Sequence, residues 1–286
     1  MSNTKKILIT GANGFTGRHL ARILSSSVSL ELHLADRTRP KVLDPRFELC
    51  DFSDISRVAE CVARIEPREI YHLVGSYTNT YDADYTSNVS ATRNILDTLR
   101  GLKLKSRVLL VGSSAEYGFP ISKDIAVTEE HPCRPVSVYG LIKLFQTELM
   151  RAYIRLYGLD IVAVRPFNLF GKGMPPTLFV GKMEQEIARY KRGEIKEIVT
   201  GDLSVERDYI DIDEAIKYYQ KVMECGRTGE MYNVGSGRSI TLRDVVNRML
   251  SAEGLPLTVI KEGLHVTSGK IVVHKIFADI SKIKQI

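Results

Sequence analysis

The chain has 286 residues, 44% of them hydrophobic, and a net charge of +6 at neutral pH. That length and apolar content suit a sizeable core, in one large domain or two closely joined ones. No run approaches the ~20 apolar residues of a membrane helix, and the basic residues are spread along the chain rather than massed in a tail, which excludes a membrane span and demotes nucleic acid as a partner. A mildly positive cleft for an anionic substrate and a merely solvated basic surface account for the charge equally well. The N-terminus, Met1 to Lys6, runs straight into the strand-like Ile7-Leu8-Ile9, so no signal-peptide apolar region is expected. Cys50, Cys61, Cys133 and Cys225 lie far apart without metal-ligand spacing, which reads as reduced thiols in a cytoplasm and no metal site.

Strand and helix signals alternate along the first two-thirds. Lys6–Thr10 reads as a buried strand, Phe15–Ser25 as a helix, and Leu30–Ala35 as a second strand ending at Asp36. Ile55–Ile65 has helical spacing, Glu69–Val74 is a short apolar strand, and Asp82–Leu99 reads as one helix. Arg107–Val111 is strand-like, Val136–Tyr157 is a long helix, and Asp160–Val164 is a strand. This alternation predicts an α/β fold: a Rossmann-type, doubly wound parallel sheet with helices on both faces.

The rhythm loosens after Arg165. Gly171 to Pro176 is a loop, Phe179–Arg192 is helix-like, and Ile198–Val199 makes a short strand. Ile212–Cys225 is helical, Met231–Val234 strand-like and Thr241–Ala252 helical, while the stretch 266–277 carries few signals. Residues 1–166 are therefore expected to form the dinucleotide-binding domain. Residues 167–286 are expected to form mainly a smaller substrate-binding lobe, some segments of which return to the main sheet.

Gly11-Ala12-Asn13-Gly14-Phe15-Thr16-Gly17 follows a strand and opens a helix, as a phosphate cradle must. Glycines permit the tight turn and close approach to a pyrophosphate, and the helix N-terminus offers unpaired amides. Asp36 stands at the end of the second strand, where an acid can bind adenosine ribose hydroxyls and favours NAD(H). Arg37 and Arg39 are also placed to clamp a 2′-phosphate, which keeps NADP(H) open; a plain Asp36–Arg37 pair is the structural alternative. Asp51 and Phe52 are placed to frame an adenine, and Leu73, Val74 and Gly75 close the third strand beneath a cofactor.

Tyr139-Gly140-Leu141-Ile142-Lys143 places a phenol and an ammonium on one helix face. A positive charge there is expected to lower the phenol pKa from its ordinary value near 10 and make Tyr139 an acid–base group. Ser113 and Ser114 end the fourth strand, at the edge where parallel sheets bind ligands.

Taken together with Arg165-Pro166-Phe167-Asn168, these motifs resemble the extended short-chain dehydrogenase/reductases that act on nucleotide sugars, over nearly the whole chain. The resemblance implies Ser113, Tyr139 and Lys143 as the catalytic set, with Tyr139 and Lys143 also touching the cofactor. It implies that Asn168 meets the nucleotide-sugar side and that Arg207 meets the substrate pyrophosphate or ribose; the alternative for Arg207 is a surface pair with Asp208 or Glu206. It also implies a homodimer through packed helices.

Three segments resemble the GDP-4-keto-6-deoxy-D-mannose reductase subgroup: Gly171 to Phe179, Gly201-Asp202-Leu203 with Arg207-Asp208-Tyr209, and Gly229 to Gly237. The family's 4,6-dehydratases carry an acid where this chain has Ala115, which favours reduction or epimerisation at C4 over dehydration. A one-residue slip in that loop returns Glu116 to register and makes Ser114 the catalytic hydroxyl; Ser114 and Glu116 are accordingly expected on the substrate side. Ala278 to Lys284 resembles the family's late motif, after which the resemblance implies a helix that the sequence, ending at Ile286, does not reach. Three readings stand: an NAD(P)H-dependent reductase of a nucleotide-linked 4-keto-6-deoxyhexose, a C4 epimerase with tightly held NAD, and a non-catalytic dinucleotide-sensing protein.

Overall fold

A computed structural model describes residues 4–26, 29–42, 44–78, 80–263 and 272–286. The chain runs β1 (Lys5–Thr10), α1 (Phe15–Leu24), β2 (Leu30–Asp36), β3 (Phe47–Leu49), α2 (Ile55–Ile65), β4 (Glu69–His72), α3 (Tyr81–Asp84), α4 (Ala91–Leu102), β5 (Arg107–Val111), α5 (Val138–Tyr157) and β6 (Ile161–Pro166). It continues through β7 (Asn168–Phe170), α6 (Phe179–Lys191), β8 (Ile198–Thr200), β9 (Glu206–Arg207), β10 (Tyr209–Asp211), α7 (Ile212–Cys225), β11 (Met231–Val234), β12 (Ile240–Thr241), α8 (Leu242–Ala252), β13 (Ile260–Glu262), β14 (Lys275–Ile276) and α9 (Ser281–Lys284). Of the weakly patterned stretch 266–277, residues 266–271 lie outside the described residues.

Among the described residues, seven strands form a parallel sheet in the order β11-β6-β5-β4-β1-β2-β3. The chain therefore has the expected Rossmann-like, doubly wound fold. Its strands are apolar on both faces because helices cover both. Alternation along each strand divides the core. Ile7, Ile9, Leu109, Val162 and Val164 pack with α1 and α7, whereas Leu8, Val108, Leu110, Ile161 and Ala163 pack with α2, α4 and α5. A third cluster, built on Met183, Ile187, Ile198, Val246 and Leu250, joins α6, α8 and β8.

The helix expected over 82–99 is present and runs from Tyr81 to Leu102, but it is irregular. After α3, residues Tyr85–Ser90 form a widened π-type turn before α4 begins. Asn88 is fully buried, and its amide nitrogen donates to Ser76 O at 3.1 Å and to Asp84 O at 2.7 Å. A side chain thus takes a carbonyl the regular ladder needs, a common cause of such bulges at functional sites. The long helix starts at Val138 because Ser137 caps it, accepting the Gly140 amide. Strands β3, β7, β9, β10, β12, β13 and β14 are two or three residues long, too short to carry a period of their own.

Candidate active site

Two adjoining cavities lie beyond the carboxyl ends of β1, β4, β5 and β6, where a parallel sheet binds its ligands. The larger, about 720 Å³, is lined by residues that include Gly14–Gly17, Ser113, Tyr139, Lys143, Asn168 and Arg207. The smaller, about 310 Å³, holds Asn13, Asp36, Arg37, Asp51, Phe52 and Val74; both share Gly11, Gly14, Leu73 and Gly75.

The glycine loop packs closely against the backbone that follows β4. Gly11 has φ +68°, and a Cβ on it would stand 2.9 Å from the Leu73 and Val74 backbone. The α1 N-terminus has no side-chain cap and no acid in its first turn, so amides lining the cavity stay available to a phosphate. Arg18 fastens the loop, donating to Asn13 O at 2.8 Å and to Gly173 O at 3.4 Å.

Asp36 is not paired to Arg37. Its carboxylate accepts the Asn13 amide at 3.1 Å, and the Thr38 amide and hydroxyl, each at 3.1 Å. Asp51 builds a turn with Ser53, whose amide and hydroxyl bonds hold its pKa below the ordinary range, and it lines the same cavity as Arg37.

The chemistry gathers at the other end. Lys143 is buried, and its ammonium donates to Val111 O at 2.9 Å and to Gln146 Oε1 at 3.0 Å, leaving a third proton for the cleft. Burial pushes its pKa down to about 8, against the carboxylates of Glu116 and Asp84. Nζ lies 5.9 Å from the Tyr139 ring centre. The expectation that Lys143 makes the phenol more acidic is corrected here. Burial raises the Tyr139 pKa, and the Ser113 side chain opposes it only in part. Tyr139 is therefore protonated at neutral pH, the state a proton donor needs.

Behind Lys143 lies a buried polar chain. Thr92 Oγ1 gives its one proton to Asn88 O at 2.7 Å and accepts from Gln146 Nε2 at 2.7 Å. It must then also accept from His72 Nε2 at 3.1 Å, so His72 Nδ1 accepts from Thr10 Oγ1 at 2.9 Å. Only neutral His72 satisfies this pattern, and burial, then the Lys143 charge, push its pKa down to about 3.

The loop after β5 places Ser113 and Glu116 in different surroundings. Ser113 is extended and caps a short turn at Ser114–Glu116: its oxygen accepts the Ala115 amide while its own amide donates to Glu116 Oε1 at 2.8 Å. Ser113, Ser114 and Ala115 line the cavity. Glu116 does not belong to the substrate side. It is 0% exposed, paired with fully buried Arg165 at 2.8 Å and accepting from Thr147 at 2.8 Å. The register slip that would expose Glu116 and promote Ser114 does not occur, because an unpaired Arg165 would be left in the core. Burial works against the Arg165 charge, but Glu116 and Tyr117 outweigh it and raise its pKa.

Arg207 and Asn168 do reach the larger cavity. Arg207 pairs with neither Asp208 nor Glu206 through its side chain, donating instead to Glu206 O at 2.8 Å and His274 O at 3.4 Å. Asp208 is fully buried and ties Ser236, Gly237 and Ala278 together. Asn168 Nδ2 donates to Asp208 O at 3.0 Å.

Sequence reasoning missed Asn88, Gln146, Tyr77 and Tyr219. Tyr77 meets the Tyr139 ring edge-on, with centres 4.8 Å apart. Gln146 was discoverable, lying one turn beyond Lys143; the others depend on contacts between distant segments.

The model of the NAD dependent epimerase/dehydratase family matches residues 7–235. The chain is 24% identical to a GDP-6-deoxy-D-mannose reductase of Pseudomonas aeruginosa, over 91% of this chain and 84% of that protein. It is 27% identical to a putative UDP-glucose 4-epimerase of Methanocaldococcus jannaschii, over 96% of this chain and 90% of that one. Among solved structures, a dTDP-glucose 4,6-dehydratase from Streptomyces venezuelae, solved with NAD bound, superposes with TM-score 0.86 at 23% identity, covering 98% and 90% of the two chains. Relatives of three reaction types at such similar identities establish the scaffold and leave the reaction to the site.

Proposed function

The chain belongs to the NAD dependent epimerase/dehydratase family, and on that premise we propose that it reduces the 4-keto group of a nucleotide-linked 4-keto-6-deoxyhexose, using NADH or NADPH. One observation carries the choice of reaction. Among the described residues, no Asp or Glu lines the larger cavity, whose charged side chains are Lys143 and Arg207. Eliminating water across C5 and C6 needs a carboxylate acid–base group beside the sugar; Ala115 stands in its place and Glu116 is committed to Arg165. Reduction needs only a proton donor and contacts for an alkoxide.

The bound dinucleotide supplies the hydride. Tyr139 gives its phenolic proton to the oxygen formed at C4, and the Ser113 hydroxyl donates to that oxygen as its charge develops. The Lys143 ammonium stabilises the phenolate left behind. Arg207 offers a half-buried cation to the substrate pyrophosphate, with Asn168 beside it. Asp36, held by Asn13 and Thr38, takes the adenosine ribose and favours NADH.

In this reading residues 1–166 bind the dinucleotide and residues 167–286 mainly build the substrate side. The exposed Leu141, Phe145 and Leu156 of α5 form the helix face of a homodimer, and the protein works in a reducing cytoplasm.

The test is absorbance of the reduced nicotinamide with purified protein and GDP-4-keto-6-deoxy-D-mannose. Oxidation that requires the sugar is expected, faster with NADH. Bound dinucleotide without oxidation rejects this substrate. The 27% identical epimerase relative supports a second reading, C4 epimerisation; protein purified with stoichiometric NAD and interconverting C4 epimers without net oxidation establishes it.

A further inference from the structure

Tyr219 on α7 is fully buried, yet its hydroxyl has no hydrogen-bond partner among the described residues. A buried hydroxyl without a partner carries an uncompensated desolvation penalty, and such groups in folded proteins call for an explanation. The explanation lies in where it stands. Of the buried side-chain atoms lacking hydrogen-bond partners among the described residues, those of Asn88 and Tyr219 belong to residues that line the larger cavity, whereas those of Thr98, Arg165 and Thr200 do not. Asn88 reaches the cavity from the α4 side of the sheet. Tyr219 reaches it from the α1–α7 layer, packed in the core that Phe15, Val111 and Phe167 share. Tyr219 and Tyr139 line the same cavity, and Tyr219 is absent from the Asp36 cavity.

These positions specify a ligand group. With the adenosine end at Asp36 and the pyrophosphate at the α1 N-terminus, the far end of the dinucleotide is its nicotinamide. That ring is flat and apolar apart from one substituent, a carboxamide with both an acceptor oxygen and N–H donors. A phenol in an apolar wall is complementary to it, since its O–H can donate and its oxygen can accept. We propose that the Tyr219 hydroxyl hydrogen-bonds the nicotinamide carboxamide, and so fixes the rotation of the ring beside Tyr139. The inference rests on the dinucleotide reading given above and extends it to a residue that no sequence motif singles out.

The experiment compares wild type and Tyr219→Phe by calorimetric titration with NADH (NADPH if wild type takes that form), with ADP-ribose, which lacks the ring, and with the pyridine analogue that lacks only the carboxamide. NADH affinity is expected to fall about five- to tenfold, the worth of one neutral hydrogen bond. ADP-ribose affinity is expected to stay unchanged, and the wild-type preference for NADH over the pyridine analogue to shrink by the same factor. The ligand-free melting temperature is expected not to fall, because the substitution removes only an unpaired group. NADH affinity equal in the two proteins overturns the proposal while leaving dinucleotide binding intact. Equal losses for NADH and ADP-ribose, with a lowered melting temperature, overturn it in favour of a packing role. Failure of wild type to bind either ligand overturns the dinucleotide reading and this proposal together.

Discussion

The two ends of the cleft are built by different means. At the Asp36 end, backbone geometry does the work: a glycine at positive φ, an uncapped helix terminus, and a carboxylate held by Asn13 of the glycine loop and by Thr38. At the Tyr139 end, groups from β1, β4, α4, β5 and α5 meet inside the protein, and burial shifts Tyr139, Lys143 and His72 away from their ordinary pKa values. The first end needs an extended ligand to approach a backbone closely. The second, on the proposed reading, carries proton chemistry away from bulk water, where charges act strongly and cost more to hold. Substitutions should accordingly affect binding at one end and turnover or stability at the other.

The largest separation is expected from Tyr139→Phe. Turnover should drop by about 10²- to 10⁴-fold, the usual contribution of a positioned acid, while dinucleotide affinity holds. Stopped-flow reduction combined with a binding titration reads both, and retained turnover would show that another group delivers the proton.

Glu116→Gln comes next, and its effect is on stability. It leaves the Arg165 guanidinium charged and unpaired in the core, at about 3–5 kcal/mol, measurable by urea unfolding. A loss no greater than that of a surface Glu→Gln control would contradict the assigned buried pair.

Lys143 gives a smaller effect with a definite sign. Its folded pKa of about 8 lies below the ordinary 10.5, so the ammonium is charged below about pH 8 and lost above it. Turnover should therefore fall as pH rises through about 8. Between these two values the unfolded chain binds more protons than the folded one, so this group makes stability rise with pH across that window. Lys143→Met should remove both that rise and the fall of turnover near pH 8. A parallel stability profile for the two proteins would show that the lysine titrates normally.

The smallest effect belongs to the Asp36 end. Asp36→Ala should shift the NADH-to-NADPH affinity ratio about tenfold toward NADPH, as one hydrogen bond to a charged group would, with little change in turnover on saturating cofactor. An unchanged ratio would assign the choice of dinucleotide to Arg37 or Arg39.

Much of this molecule was readable in its residues. The buried strands announce themselves as apolar runs, α2, β5, α7 and β11 fall where their periodicity puts them, and the glycine loop and the Tyr139/Lys143 pair are local patterns whose spacing carries their geometry. The misreadings share one cause. Whether residues 82–99 keep a regular α-helical ladder depends on Asn88 reaching Ser76, and whether Glu116 faces the cavity depends on Arg165, 49 residues away. The two- and three-residue strands exist only where a partner strand pairs with them, and the state of Tyr139 depends on how deeply other segments bury it. The sequence by itself determined the fold class, the glycine loop that opens α1 and the placing of Tyr139 and Lys143 on one helix face, because periodicity, helix spacing and glycine sterics act over a few residues. Tertiary structure alone decided which carboxylate leaves the cleft, which hydroxyl stays unpaired beside it and which groups hold their protons, because burial and charge pairing arise from residues that are distant along the chain.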